Sequence, residues 1–281
     1  MTKIGLVGAG HMGTGLGWAL REGGHEVFTT LTGRSARTAS LVAQAGIPTR
    51  PDLAEVVCAA DVLLVVTPPD AAVDAAMTIA AACQDTGARP LVADLNAISP
   101  ATVTRVSAAL SGLDFVDGTI SGVPPIVKPG ATIYLSGPRA AEVAGLRWTH
   151  ANPVLVSDRI GDASAVKMCT ASVYKGLTAI LTQALRAADH YDVLDHVLAD
   201  LDDDGYRPAA RIAVSAAKAW RYVPEMREIA ATQGAAGLPP ELFEAVALVY
   251  EQVTRSALAR HDPESVDVTI SPADVVAALR L

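Results

Sequence analysis

Lys3-Ile4-Gly5-Leu6-Val7, followed at once by Gly8-Ala9-Gly10-His11-Met12-Gly13, is the stretch whose reading decides the fold. A short apolar strand runs into a G-x-G-x-x-G turn, and the helical pattern from Leu16 to Glu22 takes over directly. That order of strand, glycine turn and helix gives the pattern meaning, because glycines alone mark ordinary turns as well. Gly8 permits the tight turn, Gly10 lets a pyrophosphate approach the backbone, and Gly13 lets helix and strand pack closely. The helix's first N–H groups and positive end then meet the phosphates. Ala9, His11 and Met12 complete the loop that would cradle a dinucleotide.

Outward from this turn, strand-like runs alternate with Ala-rich helical stretches as far as about Val156. The strand expectations are Ile4–Val7, Glu26–Leu31, Val62–Val66, Leu91–Ala93, Asp114–Val116, Thr132–Leu135 and Val154–Val156. Such alternation predicts an α/β domain with a doubly wound, mostly parallel sheet. Ligands bind such sheets at the carboxyl ends of the strands. Here those ends include Thr67-Pro68-Pro69, Asp94-Leu95-Asn96 and Gly118–Pro125, which puts Thr67, Pro68 and Asn96 beside the dinucleotide.

After Gly161-Asp162 the pattern changes. Asp162 to Ala188 lacks proline and reads as one long helix with Asp162 as its N-cap. Further helices are expected over about 190–201, 208–219, 221–232, 240–259 and 273–280. Ser99-Pro100 and Ser271-Pro272 are cap-plus-proline starts. The expected boundary lies near Arg159–Gly161, with a nucleotide-binding domain over residues 1–159 and an all-α domain over 160–281.

Composition narrows the class. The 281 residues are 51% hydrophobic but only 4% aromatic, so the core is aliphatic, and the Ala-rich helices suit close packing or a subunit interface. Thirty acidic against 22 basic residues argue against a nucleic-acid footprint. The three cysteines form no C-x-x-C pair, and no apolar run has the length of a membrane span. The expectation is a reduced, soluble, cytoplasmic protein.

An NAD-preferring loop carries Asp or Glu about 20 residues beyond the glycines. This chain instead reads Thr29-Thr30-Leu31-Thr32-Gly33-Arg34-Ser35-Ala36-Arg37. A guanidinium pairs with phosphate through two hydrogen bonds, so NADP(H) is expected, with Arg34, Thr32 and Ser35, and Arg37 behind them, at the 2′-phosphate. Two stretches bear on the chemistry. Ser121-Gly122-Val123 ends a strand on the ligand side, where a hydroxyl and backbone N–H groups suit an oxyanion. Lys167 lies in the second turn of the long helix, and helical spacing aligns it with Thr170, Ala171 and Tyr174. That face offers an ammonium, a hydroxyl and a phenol for protonating a carbonyl oxygen. A third stretch, Trp220 to Glu228, gathers rare aromatics and charges as either a substrate wall or a helix-surface ion-pair cluster.

Gly8-x-Gly10-x-Met12-Gly13, Asp94-x-Asn96-x-x-Ser99-Pro100, Ser121-Gly122 and Gly161-x-x-x-x-x-Lys167 stand in the order of the β-hydroxyacid dehydrogenases, which the chain resembles. That family includes 3-hydroxyisobutyrate, tartronate-semialdehyde and 6-phosphogluconate dehydrogenases, with imine reductases as relatives. The resemblance implies a Rossmann-type first domain, an NAD(P)-dependent oxidoreductase and a homodimer formed through the helical domain, with the active site between domains. It implies Ser121 and Gly122 at the substrate and Lys167 as general acid/base, and Val123 beside them with Thr170 and Tyr174 on the Lys167 face are the further substrate-binding candidates. Val123 stands where the family has a second glycine, and Thr170 and Ala171 stand where it has paired asparagines. The second half is more similar to a branch with a phosphogluconate-dehydrogenase-like C-terminal domain of unknown function. Retention of Lys167 favours carbonyl over imine chemistry, and a catalytically silent NADPH-binding sensor or scaffold is the reading from another class.

No metal is expected. Asp200-x-Asp202-x-Asp204-Gly205 imitates a calcium loop but has Arg211 at its twelfth position, where a bidentate glutamate belongs. His190 and His196 are six apart, which is not a helical ligand pair.

Overall fold

The computed structural model describes residues 1–280, which cluster into two compact units, one over Met1–Met168 and a second from Cys169 onward. The first unit is built from β1 (Lys3–Val7), α1 (His11–Glu22), β2 (Glu26–Thr30), α2 (Ala36–Gln44), β3 (Thr49–Arg50), α3 (Leu53–Ala59) and β4 (Val62–Val65). There follow α4 (Ala72–Thr86), β5 (Leu91–Asp94), α5 (Pro100–Ala109), β6 (Phe115–Ser121), β7 (Ala131–Ser136), α6 (Ala140–Ala144) and β8 (Ala151–Ser157). The strands form one sheet in the order β3-β2-β1-β4-β5-β6-β7-β8. All pairs are parallel except β6 with β7.

The apolar runs are continuous because both sheet faces are covered. Successive side chains alternate between faces, so Leu6, Leu64, Ala93 and Val116 join one core with Leu16 and Leu20 of α1. Val7, Leu63, Val65 and Val92 join the other with Ile79 of α4 and Val103 and Val106 of α5. Each Val, Leu or Ile among them contributes about 1.5–3 kcal/mol on burial. The chain leaves β1 toward β2 and β3, then returns to β4 on the opposite side of β1. That reversal opens a crevice beyond the ends of β1 and β4, the switch point at which doubly wound sheets hold ligands.

Boundaries differ from expectation where polar residues interrupt an apolar run. The two-residue β3 has no hydrophobic pattern to announce it, and β6 runs on to Ser121 through Asp117, Gly118 and Thr119. Ser99 and Ser271 cap their helices as expected, accepting from the backbone N–H of Thr102 and Asp274.

The second unit is helical. It comprises most of α7 (Asp162–His190), then α8 (Leu194–Asp203), α9 (Pro208–Ala216), α10 (Ala219–Ala235), α11 (Glu241–Val253) and α12 (Pro272–Leu279). Tyr222, Met226 and Ile229 of α10 and Phe243, Val246 and Tyr250 of α11 are buried at helical spacing on these packed helices. Among the described residues no helix is long and apolar enough to cross a membrane.

Candidate active site

The glycine turn after β1 has the shape its sequence requires. Gly8 has φ +89°, and a Cβ there would lie 2.1 Å from the Val66 carbonyl oxygen beside β4. A Cβ on Gly13 would lie 2.2 Å from the Gly8 carbonyl oxygen, so both positions are closed to any larger residue. Gly10 is the opposite case: a Cβ there would meet nothing within 4 Å. Gly10 also caps α1 without a side-chain bond, and the first turn contains no acid. Uncapped N–H groups, the positive helix end and open space above Gly10 are what a pyrophosphate needs. Ala9, His11 and Met12 lie in this turn and the opening of α1.

The neighbouring strand ends form a rigid polar floor. The Thr67 N–H donates to Asn96 Oδ1 at 2.6 Å, while the backbone N–H and side-chain amide of Asn96 donate to the two carboxylate oxygens of Asp94 at 2.9 Å. Asp94 is buried, and burial pushes its carboxyl up to about 7, with Asp117 adding to the rise and the Asn96 donors opposing it. The Thr67 hydroxyl is buried without a hydrogen-bond partner, an orphaned polar atom at the crevice. Pro68 continues this loop into a short 3₁₀ turn.

At the end of β2, Thr32, Arg34, Ser35 and Arg37 are all exposed. The Thr32 hydroxyl donates to the Pro51 carbonyl at 2.7 Å, and Ser35 caps α2 by accepting from the Thr38 N–H at 3.2 Å. Arg34 stands at the turn before α2, its backbone N–H bonded to the Leu31 carbonyl.

The chemistry-bearing end lies along β6 and the first turns of α7. Lys167 Nζ donates to the Ile120 carbonyl at 2.7 Å, which holds the ammonium one residue from Ser121. Gly122 follows with φ +119°, a conformation that favours glycine, and Val123 is exposed. The expectation that Asp162 caps α7 is corrected. The first helical bond runs from the Ala165 N–H to the Gly161 carbonyl, which makes Gly161 the cap, and glycine has no side chain to offer. Asp162 instead accepts from Ser157 and Arg159.

The strands supply the missing cap. Asp117 Oδ2 accepts from the Gly161 N–H at 3.0 Å, the Ser164 N–H at 3.1 Å and the Ser136 hydroxyl at 2.8 Å. Its Oδ1 accepts from the Ser164 hydroxyl at 2.6 Å, and Ser136 Oγ accepts from the Ala163 N–H at 2.9 Å. Burial raises the Asp117 pKa, while the donors on Ser164, Ser136 and Gly161 oppose the rise. Asp94, Asp117 and Ser136 are in register across β5, β6 and β7, so one row of the sheet carries both buried carboxylates. Asp94 stands in a sequence motif without a role of its own there, and Asp117 falls between the expected strand and the Gly118–Pro125 stretch. The available signal was an acid inside an apolar strand run, since acids are almost never fully buried unless partnered.

In the second unit Thr170 is half-buried and Tyr174 exposed, both on α7 at helical spacing from each other. The Trp220–Glu228 stretch is not simply a surface ion-pair cluster. Tyr222 and Glu225 turn inward, Glu225 pairs with Lys175, and Lys175 Nζ lies 4.2 Å above the Tyr222 ring. The Tyr250 hydroxyl donates to the Lys175 carbonyl at 2.9 Å. Only the outer part, such as Arg227 with Glu251 at 2.6 Å, is an exposed ion pair.

Comparison with known proteins agrees with this architecture. Residues 3–157 match the family model described as the NAD binding domain of 6-phosphogluconate dehydrogenase, and residues 188–253 match a domain of unknown function, DUF1932. The conserved protein MTH1747, of unknown function and described as structurally similar to 3-hydroxyacid dehydrogenases, is 28% identical with a TM-score of 0.65, over 90% of this chain and 97% of its own. The 3-hydroxyisobutyrate dehydrogenase of Mycobacterium tuberculosis, solved with L-serine, is 20% identical with a TM-score of 0.69 over the whole of both chains. An imine reductase from Myxococcus stipitatus in complex with NADP+ is 16% identical with a TM-score of 0.56, over 92% of this chain and 96% of its own.

Proposed function

The chain belongs to the family of the NAD binding domain of 6-phosphogluconate dehydrogenase, and from that premise we propose an NADP(H)-dependent dehydrogenase of a small β-hydroxyacid, or of its keto or semialdehyde partner, with Lys167 as general acid and base. The coarser statement, an NAD(P)-dependent oxidoreductase of the hydroxyacid dehydrogenase type, follows from the family and its structural relatives. The observation that carries the finer reading is the bond from Lys167 Nζ to the Ile120 carbonyl, which holds the ammonium beside Ser121 in a fold with a dinucleotide cradle.

The residues fit the cofactor. Gly8, Ala9, Gly10, His11, Met12 and Gly13 would hold the pyrophosphate, and the open space at Gly10 supports this role. Thr67, Pro68 and Asn96 would line the crevice, with the orphaned Thr67 hydroxyl available to a ligand. The acid-free β2 end, with exposed Arg34 flanked by Thr32 and Ser35, supports NADP(H) over NAD(H). The hydroxyls of Thr32 and Ser35 already serve Pro51 and Thr38, so the guanidinium is the principal phosphate ligand.

Hydride donation or acceptance is the bound nicotinamide's chemistry. In the reducing direction Lys167 delivers a proton from Nζ to the substrate oxygen; in the oxidising direction its neutral amine takes the hydroxyl proton. The Ile120 carbonyl orients Nζ between turnovers, while Ser121 and the Gly122 N–H bind the substrate's carboxylate. Val123 adds an apolar wall. Thr170 and Tyr174 extend the substrate-facing side of α7, and the helical domain carries the homodimer contact. Positioned proton transfer contributes about 10²–10⁴-fold, so Lys167→Met should lose at least a hundredfold in kcat with NADPH affinity intact. Assays would pair NADP+ with 3-hydroxyisobutyrate and homologous hydroxyacids, and NADPH with semialdehydes, keto acids and a cyclic imine. Near-normal turnover by Lys167→Met would refute the role, and turnover of the imine alone would replace the carbonyl reading.

A further inference from the structure

The cap of α7 is borrowed from two strands far away in sequence, and the borrowed side chains bear on the position of Lys167. An ordinary N-cap is local: a Ser, Thr, Asp or Asn side chain accepts from the N–H two or three residues on. Here the cap residue is Gly161, and the N–H groups of Gly161, Ala163 and Ser164 are satisfied by Asp117 and Ser136. Ser164 adds its hydroxyl to the other Asp117 oxygen, so both carboxylate oxygens are engaged. Lys167 lies one turn beyond Ser164 and reaches Ile120, three residues beyond Asp117 along β6. One strand therefore holds the start of α7 at two points, through a side chain at Asp117 and through a carbonyl at Ile120.

We propose that Asp117 is a positioning residue: its carboxylate, braced by Ser136, docks the first turn of α7 on β6 and thereby fixes where Lys167 presents its ammonium. The inference rests on the assignment of Lys167 as the proton-carrying group for its functional meaning, but not for its geometry. An acid on a strand suits this task better than a local cap. It meets the positive end of the helix, and it couples the helix to the strand that bears Ser121. The raised pKa caused by burial is the cost of placing it there, and the donors from Ser164, Ser136 and Gly161 offset that cost.

The test reads Lys167 directly. Trace acylation of the full-length protein at pH 8, quantified by mass spectrometry, compares Lys167 with Lys3 as an internal standard in wild type, Asp117→Ala and Asp117→Asn. Asp117→Ala should raise the labelling of Lys167 relative to Lys3 at least fivefold. Asp117→Asn keeps an oxygen for the Gly161 and Ser164 N–H groups, and its labelling should fall back toward wild type. With 3-hydroxyisobutyrate and NADP+, Asp117→Ala should lower kcat at least tenfold while the Kd for NADPH stays within twofold. Unchanged Lys167 labelling in a folded, NADPH-binding Asp117→Ala protein overturns the proposal. Altered labelling beside a fully active Lys167→Met protein instead refutes the role of Lys167 and leaves the docking intact. If Asp117→Ala does not fold, Ser164→Ala, which removes one hydroxyl from the carboxylate, should raise the labelling at least twofold, and no change there overturns the proposal equally.

Discussion

Replacing Asp94 by asparagine isolates the electrostatic cost of the floor beneath the crevice. Aspartate ordinarily titrates near 3.8, and burial pushes Asp94 up to about 7. Between those values the folded chain holds a proton that the unfolded chain has released. Stability therefore falls as pH rises through that window, and the whole cost is present above it. At about 1.4 kcal/mol per pH unit the cost above neutrality is about 4 kcal/mol. Moving from pH 8 to pH 5 should recover roughly 2–3 kcal/mol of this single contribution. Asp94→Asn cannot titrate, so the difference in unfolding free energy between wild type and variant, measured in urea from pH 5 to pH 8, should change by that amount. Subtracting the two curves cancels the other carboxylates, most of which favour higher pH. Curves that run parallel across the range would refute the reasoning. The same proton has a local consequence: it removes the charge from a carboxyl that accepts two Asn96 donors and so weakens both bonds.

Three further outcomes follow from separate parts of the molecule. Arg34→Ala should weaken NADPH binding tenfold or more while changing NADH affinity by less than twofold, since a charged, bidentate phosphate contact is worth about 1.5–3 kcal/mol; paired fluorescence titrations check this. Val173 and Ile180, seven residues apart on α7, leave 64% and 60% of their surface exposed, and Tyr191 just past its end leaves 72%, an apolar stripe suited to the proposed dimer, so Ile180→Glu should halve the mass measured by light scattering. Glu225 is only 3% exposed and Lys175 has its charge partner there, so Glu225→Ala should destabilise the helical unit by about 3–5 kcal/mol, whereas a paired Glu225→Met, Lys175→Met change should cost far less.

The parts of this molecule legible in its sequence are those whose physics is local. Gly8 and Gly13 are glycine because carbonyl oxygens a few residues away, or on the adjoining strand, leave no room for a Cβ, and the spacing records that constraint in six consecutive residues. The buried strands were readable because helices cover both sheet faces and force unbroken apolar runs. The stretch from Asp117 to Ser121 escaped the same reading for the opposite reason: polar residues alternate along this end of β6, and Asp117 among them accepts from the first turn of α7. The partners of Asp117 lie 19 residues away at Ser136 and 47 away at Ser164, so no sequence window contains the relation. Lys167 could be picked out from its helix and from family resemblance, but its acceptor could not, because Ile120 contributes a carbonyl and every residue has one. The sequence thus announces the groups that would meet cofactor and substrate, while the groups that hold them in place are written in long-range pairs. Variants at Asp94 and Asp117 therefore probe what the motifs leave unsaid: the proposed site would need its ammonium and its amide held still, and two buried carboxylates in one row of the sheet accept from Asn96 and from the first turn of α7.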